Sequence, residues 1–535
     1  MEKFFKFIGY SICVIIAFCM LDCMCSSCLG CDSCVGEFCY EACGIDCSDG
    51  CMDACDGCGD GCSGGCEVGC DSCMDSCQDA CTPPPETMEY VVENGHEFAF
   101  MPSWNYCVYS DYVGSDTVVT IPEKCGNRPV TKISSYAFNY DSNITKITLP
   151  SSVTAIEGYA FQNCRNLREV EMPGVKTISS YAFNGCSSMQ AVKLPATLER
   201  LDDNVFYGCS YLRTAQYEGT LAQWCTNITF NSGSLFDYID ALYIGGEVVY
   251  DLKITSDVTH ISKNAFNGYA LNSVEIDQSA TLTEIGADAF ANCELLTSLK
   301  IDGAVDTIKS RAFSNCPALR TINLNKNVKK FEEFVFYGTS NIDNVIYAGY
   351  INDWCAIDFN YNSSTDDVSS NPLSQAKFFK TSNGYEGDLD IPHSVEIKPF
   401  AFAGAKMITS VRTRRNVTIG NYAFYSCENL SSVVTEEVGE GVTRINPYAF
   451  KDCTSLESVT IGANVRSIEE SAFSSCTSLM EIYIPQTVLS MGAHVFENCY
   501  SIKLYCQVNS LPNGWYYNWY GSTNNVFWGA SKPEN

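Results

Sequence analysis

The chain has 535 residues, more than one compact core usually holds. Its formal net charge of −30 and pI near 4.4 would repel a polyanionic duplex, so nucleic acid is excluded as the expected partner. Cysteine is the outlier: of 33 residues, 19 fall within the first 81 positions, and the two regions need separate explanations.

Residues 1–22 read as a signal peptide or a short membrane anchor. Lys3 and Lys6 precede an apolar run from Phe7 to Leu21, shorter than the roughly 20 residues a membrane span needs. The sequence Met20-Leu21-Asp22 before Cys23 is a poor lipidation signal.

Residues 23–81 form a Cys-rich acidic segment. From position 22 to 81 there are 17 cysteines and 13 Asp or Glu, with no Lys, Arg or His. The spacing becomes nearly metrical at Cys39, Cys43, Cys47, Cys51, Cys55, Cys58, Cys62 and Cys66, and continues to Cys81. Other apolar residues are sparse, so only cross-links or metal would order the segment. Disulfides fit an oxidising compartment, and thiolate clusters holding Zn or Cu(I) fit a reducing one. Spacing alone does not choose between them, nor does it give a connectivity, but the export signal favours a disulfide-stapled or disordered spacer over metal binding. Residues 82–87, with Pro83-Pro84-Pro85, form a stiff linker, and residues 88–117 are expected to form an N-terminal cap.

Self-comparison of residues 88–535 gives the strongest signal. An Ala-Phe or Val-Phe dipeptide recurs thirteen times, with its Phe at Phe138, Phe161, Phe183, Phe206, Phe266, Phe290, Phe313, Phe336, Phe402, Phe424, Phe450, Phe473 and Phe496. Ten of the twelve intervals are 22 to 26 residues, and two are 60 and 66. In the unit beginning at Ala160-Phe161, Leu167, Val170 and Met172 follow an L-x-x-V-x-M pattern whose last two members alternate as one side of a short strand does. Pro173 ends that strand, and Val175 and Ile178 point inward on the return arm. One unit is too small to bury its apolar side, but stacked copies share one core. A solenoid over 118–506 is therefore expected, about 13 repeats with insertions near 218–252 and 348–390.

Alternate strand residues face outward and form the expected binding face: Glu169, Glu171, Lys193, Gln216, Glu275, Lys300, Asn323, Arg412, Thr460 and Tyr483. Nine repeats carry cysteine three residues after the Phe, from Cys164 to Cys499. Side chains stacked in parallel do not favour bridges, so these read as unpaired packing thiols.

The A-F-x-x-C-x-x-L-x-x-V-x-[LI]-P repeat resembles the BspA-type leucine-rich-repeat family. So do three further features: the opening Val118-Val119-Thr120-Ile121-Pro122, the paired insertions Trp224-Cys225 to Phe230 and Trp354-Cys355 to Phe359, and the aromatic end from Trp515 through Trp519 to Trp528. The resemblance covers roughly residues 88–535. It implies an α/β-type repeat solenoid, a right-handed leucine-rich-repeat superhelix with a parallel β-sheet on one face, preceded here by an irregular Cys-rich segment that is foreign to the family pattern. It also implies export to the cell surface or medium, adhesion to an extracellular protein or glycan such as a host matrix protein, and membrane association through the N-terminus if the chain is anchored. Residues 507–535 are expected to cap the last repeat with aromatics.

The four histidines are scattered, and no phosphate loop, Rossmann fingerprint or nucleophile elbow occurs. Trp224-Cys225 and Trp354-Cys355 recur in matching insertions with no histidine nearby in sequence, which reads as packing rather than a nucleophile. The expectation is a non-catalytic binding protein without cofactor. The alternative is a thiol-rich metal-binding or disulfide-stapled segment carried by a structural solenoid.

Overall fold

The computed structural model describes residues 87–231, 235–360, 368–414, 416–435, 442–521 and 525–531. The expected signal peptide or anchor at 1–22, the whole metrical cysteine run and the prolines of the linker lie outside the described residues. The unit Glu86–Asn535 is a parallel β-solenoid, and each turn of chain stacks on the next through three seams.

The first seam is made of the longer strands. The alternation read from the sequence builds them: in Asp388–Ile391 and Glu481–Ile484 the second and fourth residues are buried and the first and third are not. Val118–Thr120, Lys146–Thr148 and Glu169–Glu171 form one ladder. Ala191–Leu194, Thr214–Tyr217 and Ala241–Ile244 form the next, closed by antiparallel Glu247–Val248. Six parallel strands from Asp251–Ile254 to Phe378–Thr381 form the third, closed by antiparallel Gly384–Tyr385. The fourth has seven strands, Asp388–Ile391 to Val526–Trp528.

The second seam, on the return arm, consists of two-residue strands. Ala155–Ile156, Thr177–Ile178, Arg200–Leu201 and Thr229–Phe230 pair in parallel, and the pattern resumes at Glu284–Ile285 and again at Glu396–Ile397. Their second residue is buried, which places Ile178 inside as its spacing implied.

The third seam is the corner that carries the repeated dipeptide. Phe161 N donates to the Ala182 carbonyl at 2.8 Å, and Asn163 N donates to the Asn184 carbonyl at 2.6 Å. Such turn-to-turn bonds need backbone that strands and helices do not supply. In every repeat the residue before the dipeptide has a positive φ, as at Tyr159 (60°), Tyr181 (62°) and Asn264 (61°), and so does the second residue after the Phe, as at Asn163 (57°) and Gly185 (74°). A non-glycine side chain in that region costs roughly 1–2 kcal/mol, which the corner recovers through hydrogen bonds and stacking. Tyr136, Tyr159 and Tyr181 stack outside it at 5.4 and 5.1 Å.

All thirteen Phe side chains are buried. They stack in three files, Phe138 to Phe206, Phe266 to Phe336 and Phe402 to Phe496, with ring centroids 5.0 to 6.0 Å apart. Helix among the described residues is confined to the insertions: α1 (Leu221–Asn227), α2 (Ile351–Cys355) and a single 3-10 turn at Pro372–Ser374. A capping box starts α1, with Gln223 N donating to Thr220 Oγ1 and Thr220 N to Gln223 Oε1.

Both ends are closed by chain that the repeat pattern does not include. At the start, Glu89–Glu93 and His96–Phe100 form an antiparallel pair leading into Cys107–Tyr112, which then runs parallel to Arg128–Ile133. Tyr109 stacks on Phe138 at 5.2 Å as the rung before the first Phe. At the other end, residues beyond 506 make a further turn. Val526–Trp528 joins the long ladder, and Trp515 bridges Met491 on the short one. Trp519 meets Phe496 edge-on at 6.1 Å and is wholly buried, so it lies against the last ring of the Phe file.

Candidate functional site

Strand register sets the long-strand face, where the expected binding residues lie. Parallel partners put like positions side by side about 4.8 Å apart, so the third residues of the long strands form continuous rows. On the first ladder the row includes Thr148 and Glu171. On the second it reads Lys193, Gln216 and Tyr243. On the third it reads Lys253, Glu275, Lys300, Asn323, Ile346 and Lys380. On the fourth it reads Asp390, Arg412, Val434, Thr460, Tyr483, Tyr505 and Phe527. Every residue in these rows is exposed or half-buried. Nine of the ten expected face residues lie in these rows, and Glu169 sits two positions before Glu171 on the same strand. The breaks between ladders separate them into groups. Glu169 and Glu171 belong to the first ladder, Lys193 and Gln216 to the second, Glu275, Lys300 and Asn323 to the third, and Arg412, Thr460 and Tyr483 to the fourth.

Charge along the rows is largely neutralised from within. Lys146 Nζ lies 2.6 Å from Glu171 and 3.4 Å from Glu169. The Lys146 ammonium, then the Thr148 hydroxyl, hold the Glu171 carboxyl below its usual range. Lys300 bridges Asp302 at 2.8 Å and Glu275 at 3.0 Å, and both hold its ammonium above its usual value. The Ser279 backbone N–H, then Lys253, pull Asp277 down to about 2. Exposed pairs of this kind add little stability, but they leave few uncompensated charges in the middle rows.

The fourth row differs. It opens on Asp390 and Arg412 and then passes through Val434 and Thr460 to Tyr483, Tyr505 and Phe527. The Tyr505 and Phe527 rings stack at 5.1 Å, and Phe527 remains 46 % exposed. Tyr505 and Phe527 were not among the expected face residues. The signal for Tyr505 was present in the alternation Lys503-Leu504-Tyr505-Cys506. Phe527 had none, because nothing in the repeat pattern places residues beyond 506 on the ladder.

The thiols are arranged for packing. In all nine repeats that carry it, the cysteine Sγ donates to the carbonyl of the Phe one turn earlier, at 2.9 to 3.3 Å, as Cys164 does to Phe138 and Cys316 to Phe290. All fourteen described cysteines are free and buried. Where one repeat replaces cysteine by Thr339, its hydroxyl donates to the Phe313 carbonyl at 2.8 Å and accepts from Cys316 N at 3.0 Å.

The Trp-Cys pairs act as surrogates for a missing turn. Trp224 Nε1 donates to the Ala265 carbonyl at 3.0 Å and Trp354 Nε1 to that of Ala401 at 2.8 Å. Those are the carbonyls that a preceding Phe N–H would otherwise satisfy. The Cys225 and Cys355 carbonyls accept from Ser262 N and Lys398 N at 2.8 Å, as a short strand's carbonyl does elsewhere. Both thiols are fully buried, and burial pushes them far above their ordinary range, the reverse of an activated nucleophile. The suggested cysteine metal ligands, Cys39 to Cys66, lie outside the described residues. Among the described residues no cluster of three or more His, Cys, Asp or Glu is placed to hold a metal. No described helix is long and apolar enough to cross a membrane.

The family comparison agrees with this repeat pattern. The BspA type leucine rich repeat region matches in six copies, over residues 131–239, 246–365 and 377–518. A solved leucine-rich-repeat protein from Bacteroides ovatus is 22 % identical over 80 % of this chain and 89 % of its own, with a TM-score of 0.36. A leucine-rich cell surface protein from Faecalibacterium prausnitzii is 20 % identical over 82 % and 100 %, with a TM-score of 0.27. The pneumococcal vaccine antigen PcpA is 18 % identical over 80 % and 84 %, with a TM-score of 0.29. No curated protein matches the chain.

Proposed function

The chain belongs to the BspA-type leucine-rich-repeat family, whose repeats match more than half of its length, and from that premise we propose that it is a secreted or cell-surface, non-catalytic binding protein. Its ligand is an extracellular protein or glycan, such as a host matrix protein, laid across the long-strand face. The observation that carries this reading is the fourth row: seven side chains in unbroken register, exposed or half-buried, that turn from charged to aromatic. Aromatic side chains give large contact area at low entropic cost, and interfaces are enriched in them. Export is supported by Lys3, Lys6 and the apolar run that follows.

The test is binding of the purified chain to arrays of matrix proteins and glycans, alongside a Tyr483→Ala, Tyr505→Ala, Phe527→Ala triple variant of matched circular dichroism. Saturable binding that falls at least tenfold in the variant is expected. Binding that is unchanged in the variant, or none to any array member, overturns the reading. A second role, metal or disulfide chemistry in residues 23–81, is favoured by the 17 cysteines from position 22 to 81. Elemental analysis and thiol counting on natively produced chain decide it.

A further inference from the structure

Eleven of the fourteen described cysteines serve the stack directly, nine in the corner file and two in the insertion helices, and Cys506 ends the strand Lys503–Cys506. Two have no such duty. Cys107 opens the strand Cys107–Tyr112, and Cys125 closes the two-residue strand Lys124–Cys125, which folds back on Arg128–Ile133 across Gly126 and Asn127. Gly126 has a φ of 55°, as the turn requires. Val130 N also bonds back to the Glu123 carbonyl at 2.9 Å, so the hairpin is formed independently of Cys107.

Cys107 reaches that hairpin from the neighbouring strand. Its Sγ lies 3.4 Å from the Arg128 carbonyl and 3.8 Å from the Cys125 carbonyl, which brings it against the backbone of Cys125 itself. Both side chains are buried, Cys107 completely. In the corner file, each thiol is tied to a Phe carbonyl of the turn before. Cys107 and Cys125 instead approach from strands of different direction, one parallel to Arg128–Ile133 and the other antiparallel to it. Such an approach lets two Cβ–Sγ vectors converge, as a bridge needs. They also precede the first repeated Phe, so the hairpin can open without unfolding the repeats.

We propose that Cys107 and Cys125 are the site of a disulfide that clasps the first hairpin of the solenoid to the strand preceding it. This rests on the export proposed above, because only an oxidising compartment would maintain the bond. The chemistry is exchange with a small-molecule or protein disulfide. One cysteine thiolate attacks that disulfide and displaces the first thiolate. The second cysteine then attacks the mixed disulfide and displaces the other. Two protons pass from the cysteines to the two departing thiols, the pair is oxidised by two electrons, and the external disulfide is reduced by two. Burial pushes the Cys125 thiol up to about 12, so exchange is slow once the hairpin is closed and proceeds during folding or in an opened hairpin.

The test uses the full chain, refolded with oxidised glutathione, alkylated under denaturing conditions and mapped by mass spectrometry. A Cys107–Cys125 linked peptide is expected, with the nine corner cysteines alkylated. Hydrogen exchange over residues 118–133 is expected to be at least tenfold slower in the oxidised chain than in the reduced one. Recovery of both cysteines alkylated, or of Cys125 joined to a cysteine of residues 23–81, overturns the proposal. The refolding readout does not depend on where the protein resides. A chain recovered from the cell interior that still forms the bond in vitro refutes export while leaving the site intact.

Discussion

The carbonyl of Ala265 receives the indole N–H of Trp224 across 41 positions of sequence, and among the described residues no second donor reaches it. The equivalent carbonyl, Ala401, receives two donors, Trp354 Nε1 at 2.8 Å and Asn371 Nδ2 at 3.0 Å. The two insertions therefore do the same work with different redundancy. Trp224→Phe is expected to strand a buried acceptor and to cost about 1–3 kcal/mol beyond lost packing. Trp354→Phe leaves Asn371 in place and is expected to cost less. Because a stacked chain unfolds in parts, the measurement is hydrogen exchange around each insertion rather than one global midpoint.

Thr339 tests whether the corner file needs a donor or only bulk. Thr339→Val keeps the shape but leaves the Phe313 carbonyl without its hydroxyl donor and Cys316 N without its acceptor. A loss of about 1–3 kcal/mol is expected from these buried groups. Thr339→Cys restores the donor used by the nine other repeats and is expected to cost less. Equal urea sensitivity of the two variants would show that the hydroxyl contributes only volume.

The left-handed positions give a substitution that should stabilise. Ser426 has a φ of 54°, and its N–H bonds to the Lys451 carbonyl at 2.9 Å. Ser426→Gly removes the Cβ penalty and is expected to gain up to about 1 kcal/mol, the relief being set against a looser unfolded chain. Ser426→Val places a branched side chain in the same region and is expected to lose about 1–2 kcal/mol. Thermal melts of the two variants should therefore move in opposite directions.

The repeat, the buried Phe and the alternate strand faces were legible because each rests on a period that side chains alone carry. Phe161 and Phe183 recur 22 residues apart and stack at 5.0 Å. The corner geometry was half legible. Asn163, Gly185 and Asn292 are residues that favour positive φ, whereas Tyr159, Arg311 and Phe400 are not, yet their φ is also positive. At those positions stacking and turn-to-turn hydrogen bonds override the local preference, and Tyr159 gains its neighbours only when the turns assemble. The same holds for Trp224. Its aromatic bulk announced packing, but the carbonyl it serves is fixed by a turn that begins tens of residues later. The face row past Lys503–Cys506 was hidden because Val526–Trp528 joins it through a segment without the repeat pattern.

The buried thiols link the stack to pH. Burial lifts Cys209, Cys316, Cys427 and Cys499 to about 12, and Cys186, Cys293, Cys453 and Cys476 well above the ordinary value of 9.0. Below pH 9 folded and unfolded chains both keep these protons, so the thiols contribute no pH dependence. Between pH 9 and 12 the unfolded chain releases protons that the folded chain retains, and stability falls as pH rises by about 1.4 kcal/mol per unit for each thiol. All eight act in the same direction, so the loss steepens with the number of turns that unfold together. A steep loss of β-structure is expected between pH 9 and 11, followed by far-ultraviolet circular dichroism. Lysine and tyrosine also titrate in this range, so the informative comparison is a Cys427→Ala, Cys453→Ala, Cys476→Ala, Cys499→Ala variant. It should be less stable than the parent at pH 7, from lost packing and lost donors to the Phe carbonyls, yet lose stability less steeply above pH 9. Parallel stability curves for the two proteins over pH 9–11 would show that proton release from the corner file does not drive the transition.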